Sequence, residues 1–584
     1  MDVVYVGKDS LKRDAVLKTR GDVILLLFDR WDDFDYKTRF PTYCRIAGNE
    51  VELDAVKILI EDQSVSFSYL DELVAKGWDG VFPIPEMLYI STPEALTFYE
   101  QIEGHLDLSG AIEVARKLRD ASYMVRIAED DCSIRMTHTA GFKKSLQRER
   151  GSIKAFLDGW RFFSRQGISI GDLTFYFRST AGDIQPLRLN FASDNLLPHD
   201  INVLIGPNGV GKSQALLQIV QHWLEFDPDA ENDIRFDESP NINQVVVVSY
   251  SPFELFPLDS AANDADDGVG RQDHGVYRYF GLRAPEIIDE PDGTTRTTAR
   301  LSRHWPRRNA AYSLVACLED DLKYGSISDW SAKVETMGQV LRTAIDFDDL
   351  AIGVHGYDDD GIFFEDREWA GDDAVIPAAN IEAGVPLPKA YIPIRSFRVS
   401  ELNTDMLRKH VHETSGIVFL KDSVPVELSS GQRLFSYIVA NILGAMRRNS
   451  LILIDEPELF LHPTLEIAFI RMLKRILTNY SSKALLATHS LVTVRELPRD
   501  CVHVFERTKE GVFVKHPPFE TFGGDIQRIS SYVFGDKSVS KPFEEWLREK
   551  LKEYGSADEL IRALGDNVNE EMLIQIHAMG EGKW

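Results

Sequence analysis

Residues 206–213 read GPNGVGKS, a spacing of the form GxxxxGK[ST] that sets small residues, one lysine and one hydroxyl at fixed distances along the chain. Such a stretch suits a phosphate chain. Gly206, Gly209 and Gly211, with Asn208 among them, allow backbone N–H groups to turn inward around phosphate oxygens. Lys212 would reach the β- and γ-phosphates, and the Ser213 hydroxyl would ligate Mg²⁺. A glycine-rich turn with no ligand is the competing reading, and the flanks weigh against it. INVLIG before the loop is an apolar, β-rich run, and SQALLQIVQHWLEF after it has helical spacing, so the glycines sit between strand and helix. The helix that opens there adds its positive dipole end.

Three further stretches fit the same chemistry. LILIDEPELFLHP ends its apolar part in Asp455 and Glu456, where Asp455 could hold a Mg²⁺ shell and Glu456 could polarise an attacking water. KALLATHS is a short apolar strand that delivers His489 at its carboxyl end, either as a structural histidine or as a γ-phosphate contact. Ligands of open α/β sheets lie at the carboxyl ends of the strands, which would set Gly206, Asp455 and His489 on one rim. LSSGQ, from Leu428 to Gln432, precedes a helical run, with Ser429 or Ser430 as its cap: a second anion-binding device. One nucleotide hardly needs two such devices from one subunit, so the second is expected to face phosphates held by another copy of the chain.

GPNGVGKS, LSSGQ, LILIDEPE and THS, in that order, resemble the motifs of ABC-type ATPases. The resemblance implies an α/β fold, ATP and Mg²⁺ as ligands, and two nucleotide domains that sandwich two ATP molecules head to tail. Ser430, Gly431 and Gln432 would then complete a partner's site, in a homodimer or higher oligomer. Ser430 stands where transporters usually have glycine, and no glutamine follows VVVVSYSPFELF where the family would place one. PELFLHP, with His462 and Pro463, resembles the RecF, SMC and OLD-like branch, as does the wide spacing between Lys212 and Leu428. VYRYFGLR, AYIPIRSFR, TNYSSKALLATHSLVTVRELPRDCVHVF and ETFGGDIQRISSYVFGD resemble the ATPase subunit (PtuA) of Septu-type anti-phage systems, including retron-associated ones, over roughly residues 168 to 536. That resemblance implies a partner HNH nuclease (PtuB-like), and a reverse transcriptase with its msDNA where a retron is associated.

The rest of the chain must position these residues. Its 584 residues exceed what one hydrophobic core usually supports, and 44 % apolar content argues for a folded chain. The reading divides it into an N-terminal α+β accessory domain (1–165), an ATPase lobe with the phosphate loop (166–260), a mostly helical and irregular insert (261–388), a second ATPase lobe (389–515) and a C-terminal helical segment (516–584). A formal charge of −27 repels phosphate backbones on average, so nucleic-acid contact must be local. The one acid-free basic island holds Arg296, Arg300, Arg303, Trp305, Arg307 and Arg308, and is either such a contact or an internally paired, solvated face. It lies between the acidic stretches NDADDGVGRQD and GYDDDGIFFEDREWAGDD.

The four cysteines form no CxxC pair and fit a reducing cytoplasm. No export signal or membrane span is read. Asp29, Asp32, Asp33 and Asp35 could bind a metal, but without a matching constellation they read better as a hairpin turn. In FKKSLQRERGSIKAFLDGWRFFSR the spacing reads as a helix. The amphipathic pieces FEEWLREKLKEY, SADELIRALGD and NEEMLIQIHAM either pack within the protein or dock a partner. The leading expectation is an ATPase that controls an associated nuclease in anti-phage defence. A DNA-repair clamp and a nuclease in its own right are the alternatives.

Overall fold

The valine- and isoleucine-rich runs become the strands of one sheet. The computed structural model describes residues 1–29, 36–46, 48–51, 53–164, 170–192, 196–224, 233–238, 240–258, 276–289, 295–324, 332–355, 360–365, 374–378, 388–508, 511–534, 542–565 and 568–581. Strands β1 (Ile201–Ile205), β2 (Gln244–Ser249), β3 (Tyr277–Gly281), β4 (Ser450–Asp455), β5 (Lys483–Thr488), β6 (Val502–Thr508) and β7 (Gly511–Lys515) pair in the order β3-β2-β4-β5-β1-β6-β7. All neighbours are parallel except β6 and β7. Strands β1, β2 and β4 are buried along their whole length, as continuous apolar runs require in a parallel sheet covered on both faces. The pairings Ile205 with Thr488, Asp455 with Ala487 and Ser249 with Asp455 bring the carboxyl ends of β1, β5, β4 and β2 into one row.

Helix α1 (Lys212–Leu224) follows β1 and buries Ala215, Leu216, Ile219 and Val220 in a core shared with the hairpin Leu173–Arg178 and Ile184–Leu189. Helices α2 (Trp305–Tyr324), α3 (Lys333–Leu341), α4 (Ser430–Ala445) and α5 (Pro463–Asn479) surround the other strands. Helix α4 lies so close to α2 that a Cβ on Gly444 would stand 2.6 Å from the Ser313 carbonyl oxygen. In the same interface Ser313 Oγ donates to Asn441 Oδ1 at 2.9 Å, and Asn441 Nδ2 donates to the Tyr250 hydroxyl at 3.1 Å, just beyond β2. A buried ion cluster closes the base of this layer. Lys333 Nζ and Arg447 Nη1 each donate to Asp320 Oδ2 at 2.7 Å, and Lys333 also caps the Met446 carbonyl at 2.8 Å.

The segment 261–388, expected to be mostly helical or irregular, also holds the antiparallel hairpin Arg283–Asp289 and Thr295–Leu301 and the strand Asp349–Val354. That strand is central to a five-stranded sheet, pairing with Ala390–Ile394 on one side and Ile417–Lys421 on the other. The acidic stretch 263–273 and most of 356–373 lie outside the described residues.

The N-terminal region is α+β. Parallel strands Asp2–Gly7 and Val23–Leu27 continue into Thr42–Ile46 and Asn49–Val51, and a second sheet joins Arg39–Phe40, Val56–Ile60 and Tyr89–Pro93. The stretch read as one helix after Phe142 is instead broken into a π-helical turn Phe142–Leu146 and helices Arg150–Asp158 and Trp160–Ser164. Lys57 explains the first break: fully buried, it pairs with Glu149 and donates to the Ser145 carbonyl at 3.1 Å, satisfying the interrupted backbone. This region meets the seven-stranded sheet at the amino ends of its strands, where Asn243 Nδ2 donates to Glu100 Oε1 and to the Arg448 carbonyl, both at 3.0 Å, and Lys154 donates to the Pro240 carbonyl at 3.0 Å.

Residues Met1–Gly523 form one compact unit and Gly524–Trp584 a second. In the second, the amphipathic helices Pro542–Tyr554, Ala557–Leu564 and Glu570–Gly580 bury Leu547, Leu560 and Ile576 against one another. No helix among the described residues is long and apolar enough to cross a membrane.

Asp120 caps the helix Ala121–Arg126, accepting from the Tyr123 amide at 2.9 Å and the Tyr99 hydroxyl at 2.8 Å. Burial pushes its carboxyl up to about 7 against the pull of these donors. In the unfolded chain the group titrates near 3.8, so the folded state binds the proton more tightly. Its contribution to stability is complete below that value and is lost as pH rises toward 7. Asp120→Asn, which keeps the cap acceptor, is therefore expected to flatten the fall in thermal unfolding midpoint between about pH 4 and about pH 7. An unchanged slope in a folded variant contradicts the assignment.

Candidate functional site

The loop 206–211 turns sharply between β1 and α1. Gly206 packs so tightly beneath β6 that a Cβ would meet the Phe505 carbonyl oxygen at 2.4 Å, and Gly211 sits at φ +101°, where a side chain is strained. Gly209 also has positive φ, Asn208 is exposed between these turns, and Arg507 holds the loop by donating to the Gly209 carbonyl at 2.6 Å. Helix α1 begins at Lys212, so the N–H groups of its first turn have no carbonyl within the helix to bond and form a donor set for an anion.

The buried Lys212 lies across the loop. Its Nζ donates to the Gly206 carbonyl at 2.9 Å and the Pro207 carbonyl at 3.1 Å, and stands 2.9 Å from His489 Nε2. Burial lowers the Lys212 pKa to about 8, while Glu456, Asp455 and Glu458 pull it back up. Burial and the Lys212 charge both hold the His489 imidazole below its ordinary value, so its neutral form is favoured. Ser213 Oγ donates to Asp455 Oδ1 at 2.8 Å, which joins the end of β4 to the start of α1. Asp455 is 3 % exposed, and burial raises its carboxyl to about 7, with the Ser213 bond opposing and the Glu456 and Glu458 charges reinforcing the shift.

Glu456 follows with φ +51°, an uncommon conformation for a side chain of its size, and its amide donates to the Ala487 carbonyl at 2.8 Å. This turn sends the chain out of the sheet immediately after Asp455. Glu458 is the residue that motif spacing missed. Its two carboxylate oxygens accept from Thr488 Oγ1 at 2.7 Å and from the His489 amide at 2.5 Å, clamping the end of β5, and burial raises its pKa. The third acid of DEPE was a visible signal, but only the pairing of β4 with β5 reveals its partner.

Gly206, Asn208, Gly209, Gly211, Lys212, Ser213, Asp455, Glu456 and His489 thus come together on the strand-end rim. Ser430, Gly431 and Gln432 belong to another place, the first turn of α4. Ser429 is the cap: its side chain accepts from the Gln432 amide at 3.3 Å, and Gln432 Oε1 accepts from the Ser429 amide at 3.1 Å. Gln432 Nε2 donates to the Ala344 carbonyl at 2.8 Å, so that side chain is committed within the fold, while Ser430 is exposed. Beyond β2, where the ABC-type pattern would place a glutamine, Glu254 is buried, accepts from the Tyr279 hydroxyl and forms an ion pair with Arg283.

The basic island is divided among elements. Arg296 and Arg300 lie on the hairpin strand Thr295–Leu301, with Arg300 paired to Glu286 at 3.0 Å, and Arg303 is exposed in the turn that follows. Arg308 stacks between Trp305 and Tyr312 and pairs with Glu413 at 2.9 Å, so this part of the island is internally engaged. Asp29 pairs with Arg39, whereas Asp32, Asp33 and Asp35 lie outside the described residues. Among the described residues no group of three or more His, Cys, Asp or Glu converges to hold a metal. The donor set that does fit a magnesium–nucleotide is the Ser213 hydroxyl bonded to the Asp455 carboxylate, beside the Lys212 ammonium.

Residues 360–495 match the family model described as AAA domain, putative AbiEii toxin, Type IV TA system. Protein ea59 of Escherichia phage lambda is similar, with 27 % identity over 154 residues, or 26 % of this chain and 29 % of that protein. The chain thus spans under a third of that relative's length. Two solved structures are also similar: the SMC head domain from Thermotoga maritima (TM-score 0.24, 10 % identity, 60 % of this chain and 100 % of that one) and UvrA2 from Deinococcus radiodurans (TM-score 0.26, 13 % identity, 69 % and 43 %). The seven-stranded sheet and the strand–loop–helix at 201–224 give an α/β fold of the P-loop ATPase type, and the family match falls on residues 360–495 of it.

Glu458 acts on the rim through the end of β5, by accepting from Thr488 and the His489 amide. Glu458→Gln is expected to lower the maximal rate of nucleotide turnover by roughly tenfold, the scale of one charge-assisted hydrogen bond, with little change in KM. A proportional rise in KM at constant rate would contradict a positioning role.

Proposed function

We propose that the chain is an ATP-hydrolysing enzyme of the ABC type whose ATP-dependent dimerisation controls an associated HNH nuclease in anti-phage defence. The observation that carries the enzymatic part is the meeting of Lys212, Ser213, Asp455, Glu456 and His489 at the carboxyl ends of β1, β4 and β5. The loop amides and the Lys212 ammonium bind the triphosphate and counter its charge. Ser213 and Asp455 would hold Mg²⁺, whose chemistry when bound is to neutralise charge on the phosphate oxygens. Glu456 accepts the proton of the attacking water, and the neutral His489 orients the γ-phosphate end of the site.

The dimer rests on the separation of the two anion-binding turns. The exposed Ser430 and the adjoining Gly431 open α4 with amides that face away from their own helix, and they would complete the site of a second copy. A role in conflict between phage and host is supported by the family description, which names a toxin of a toxin–antitoxin system, and by similarity to a phage protein. The partner would be a PtuB-like HNH nuclease, accompanied by a reverse transcriptase and its msDNA where a retron is present.

Lys212→Ala is expected to abolish ATP binding measured by calorimetry. Glu456→Gln should bind ATP normally but turn it over about 100-fold or more slowly, the usual worth of a general base, and should accumulate as an ATP-dependent dimer on a sizing column. Unchanged turnover in that variant rules out the assignment of Glu456. Purification of the tagged chain from its host tests the partner: a co-purifying HNH protein supports the defence reading, and bulk chromosomal DNA without a nuclease supports a repair clamp.

A further inference from the structure

A cavity of about 240 Å³ lies beside the first turn of α4; Leu428, which opens the LSSGQ stretch, lines it, but no residue of the phosphate loop or of the strand-end rim does. Its polar lining is Arg307 of α2, Arg433 and Tyr437 of α4, and Tyr391, His412, Thr414 and Ser415 from the five-stranded sheet and its connections. Among the described residues no carboxylate lines it, in a chain whose formal charge is −27. The imbalance is local and directed. Neither Arg307 nor Arg433 forms an ion pair among the described residues; Arg307 donates to the Thr414 carbonyl at 3.4 Å and to the Tyr437 hydroxyl, and Arg433 donates to the Leu428 carbonyl at 3.5 Å. Most of the guanidinium donors therefore remain for a ligand. Two acids adjoin lining residues in sequence: Glu413 is turned to Arg308 and Tyr312, and Glu427 is exposed between Val426 and Leu428.

Both charges converge on one buried phenol. Burial pushes the Tyr437 hydroxyl up, and Arg307 and Arg433 both pull it back. Gly416 keeps this corner open: at φ +68°, a Cβ there would stand 3.3 Å from the Tyr437 hydroxyl and 3.5 Å from Arg307 Cβ. His412 Nδ1 is engaged by Ser415 Oγ at 2.6 Å, and burial together with His355 favours the neutral ring, so its other nitrogen can meet a heterocycle edge. The remaining walls are flat or apolar, with Tyr391, Phe419 and Pro425 among them. Two arginines without a carboxylate select an oxyanion with several acceptors, and the flat walls select a planar ring.

We propose that this cavity binds a nucleotide through its phosphate and base, either a free mononucleotide or the phosphorylated end of a short single strand. The site is separate from the ATP-binding loop and does not depend on ATP hydrolysis. Its ligand would touch Arg433 and Tyr437, one turn or two into the helix whose first turn is the exposed Ser430.

The full chain carrying Lys212→Ala, in which the phosphate loop is silenced, is titrated calorimetrically with thymidine 5′-monophosphate, a 5′-phosphorylated thymidine dinucleotide, the unphosphorylated dinucleotide and inorganic phosphate. Saturable binding of either phosphorylated compound is expected, weakened about tenfold or more by removing its phosphate and by Arg307→Gln or Arg433→Gln. Tighter binding of the mononucleotide identifies a free nucleotide as the ligand, and tighter binding of the dinucleotide identifies a strand end. If an arginine variant does not fold, Tyr391→Ala decides, and should weaken the nucleotide several-fold while leaving inorganic phosphate unaffected. The proposal is overturned by absence of saturable binding, by equal affinity for inorganic phosphate and nucleotide, or by affinity unchanged in the folded variants.

Discussion

The Ser213–Asp455 hydrogen bond depends on where four parallel strands stop. Because β1, β5, β4 and β2 are in register, their last residues form a row, and side chains far apart in sequence reach bonding distance without any loop having to span the gap. The strand carrying His489 lies between the strand that feeds the phosphate loop and the strand that carries Asp455. Its position makes Lys212 a neighbour of His489 and Ser213 a neighbour of Asp455. A slip of one residue in any of these pairings would turn the terminal side chains to the opposite face.

Charge is arranged on this frame at considerable desolvation cost. Lys212, Asp455 and Glu458 are each pushed toward neutrality by burial, and each is held by neighbours of the opposite kind or by hydrogen bonds. The same device occurs away from the rim in the Asp320, Lys333 and Arg447 cluster, where burial lowers the lysine and the two cations keep the aspartate low. One set of buried charges lies at the strand-end rim and the other ties α2 and α3 to the end of α4. Partnership, and not burial, distinguishes them: the structural set is closed by fixed side chains, whereas the rim set leaves loop amides directed at a ligand.

The parts legible in sequence were those governed by local spacing. The phosphate loop declares itself because glycine, lysine and serine at fixed offsets have a mechanical meaning between a strand and a helix, and the acid pair and His489 each end an apolar run. Glu458 was illegible because its partners, Thr488 and the His489 amide, are set by strand pairing and not by sequence distance. The break after Phe142 was hidden for the same reason: the helical pattern is real, and a lysine from Val56–Ile60 interrupts it. The basic island looked like one surface because it is contiguous in sequence, yet a hairpin strand, a turn and a helix send its arginines to different neighbours. The cavity beside Tyr437 draws on α2, α4 and a sheet, and no window of sequence contains it.

Helix α4 joins these regions mechanically. Its 16 residues make a rod about 24 Å long, with the exposed Ser430 turn at one end and, just past the other, Arg447 in the buried ion cluster and Arg448 at the contact with Asn243 and Glu100. Between them, Gly444 admits the backbone of α2 and Asn441 grips Tyr250 beyond β2, so the rod has a fulcrum near its base. One rigid element thus joins the Ser430 turn to the seam where the N-terminal region meets the amino ends of the strands. The N-terminal region therefore meets the base of this rod at the amino ends of the strands, opposite the carboxyl-end rim that carries the loop 206–213.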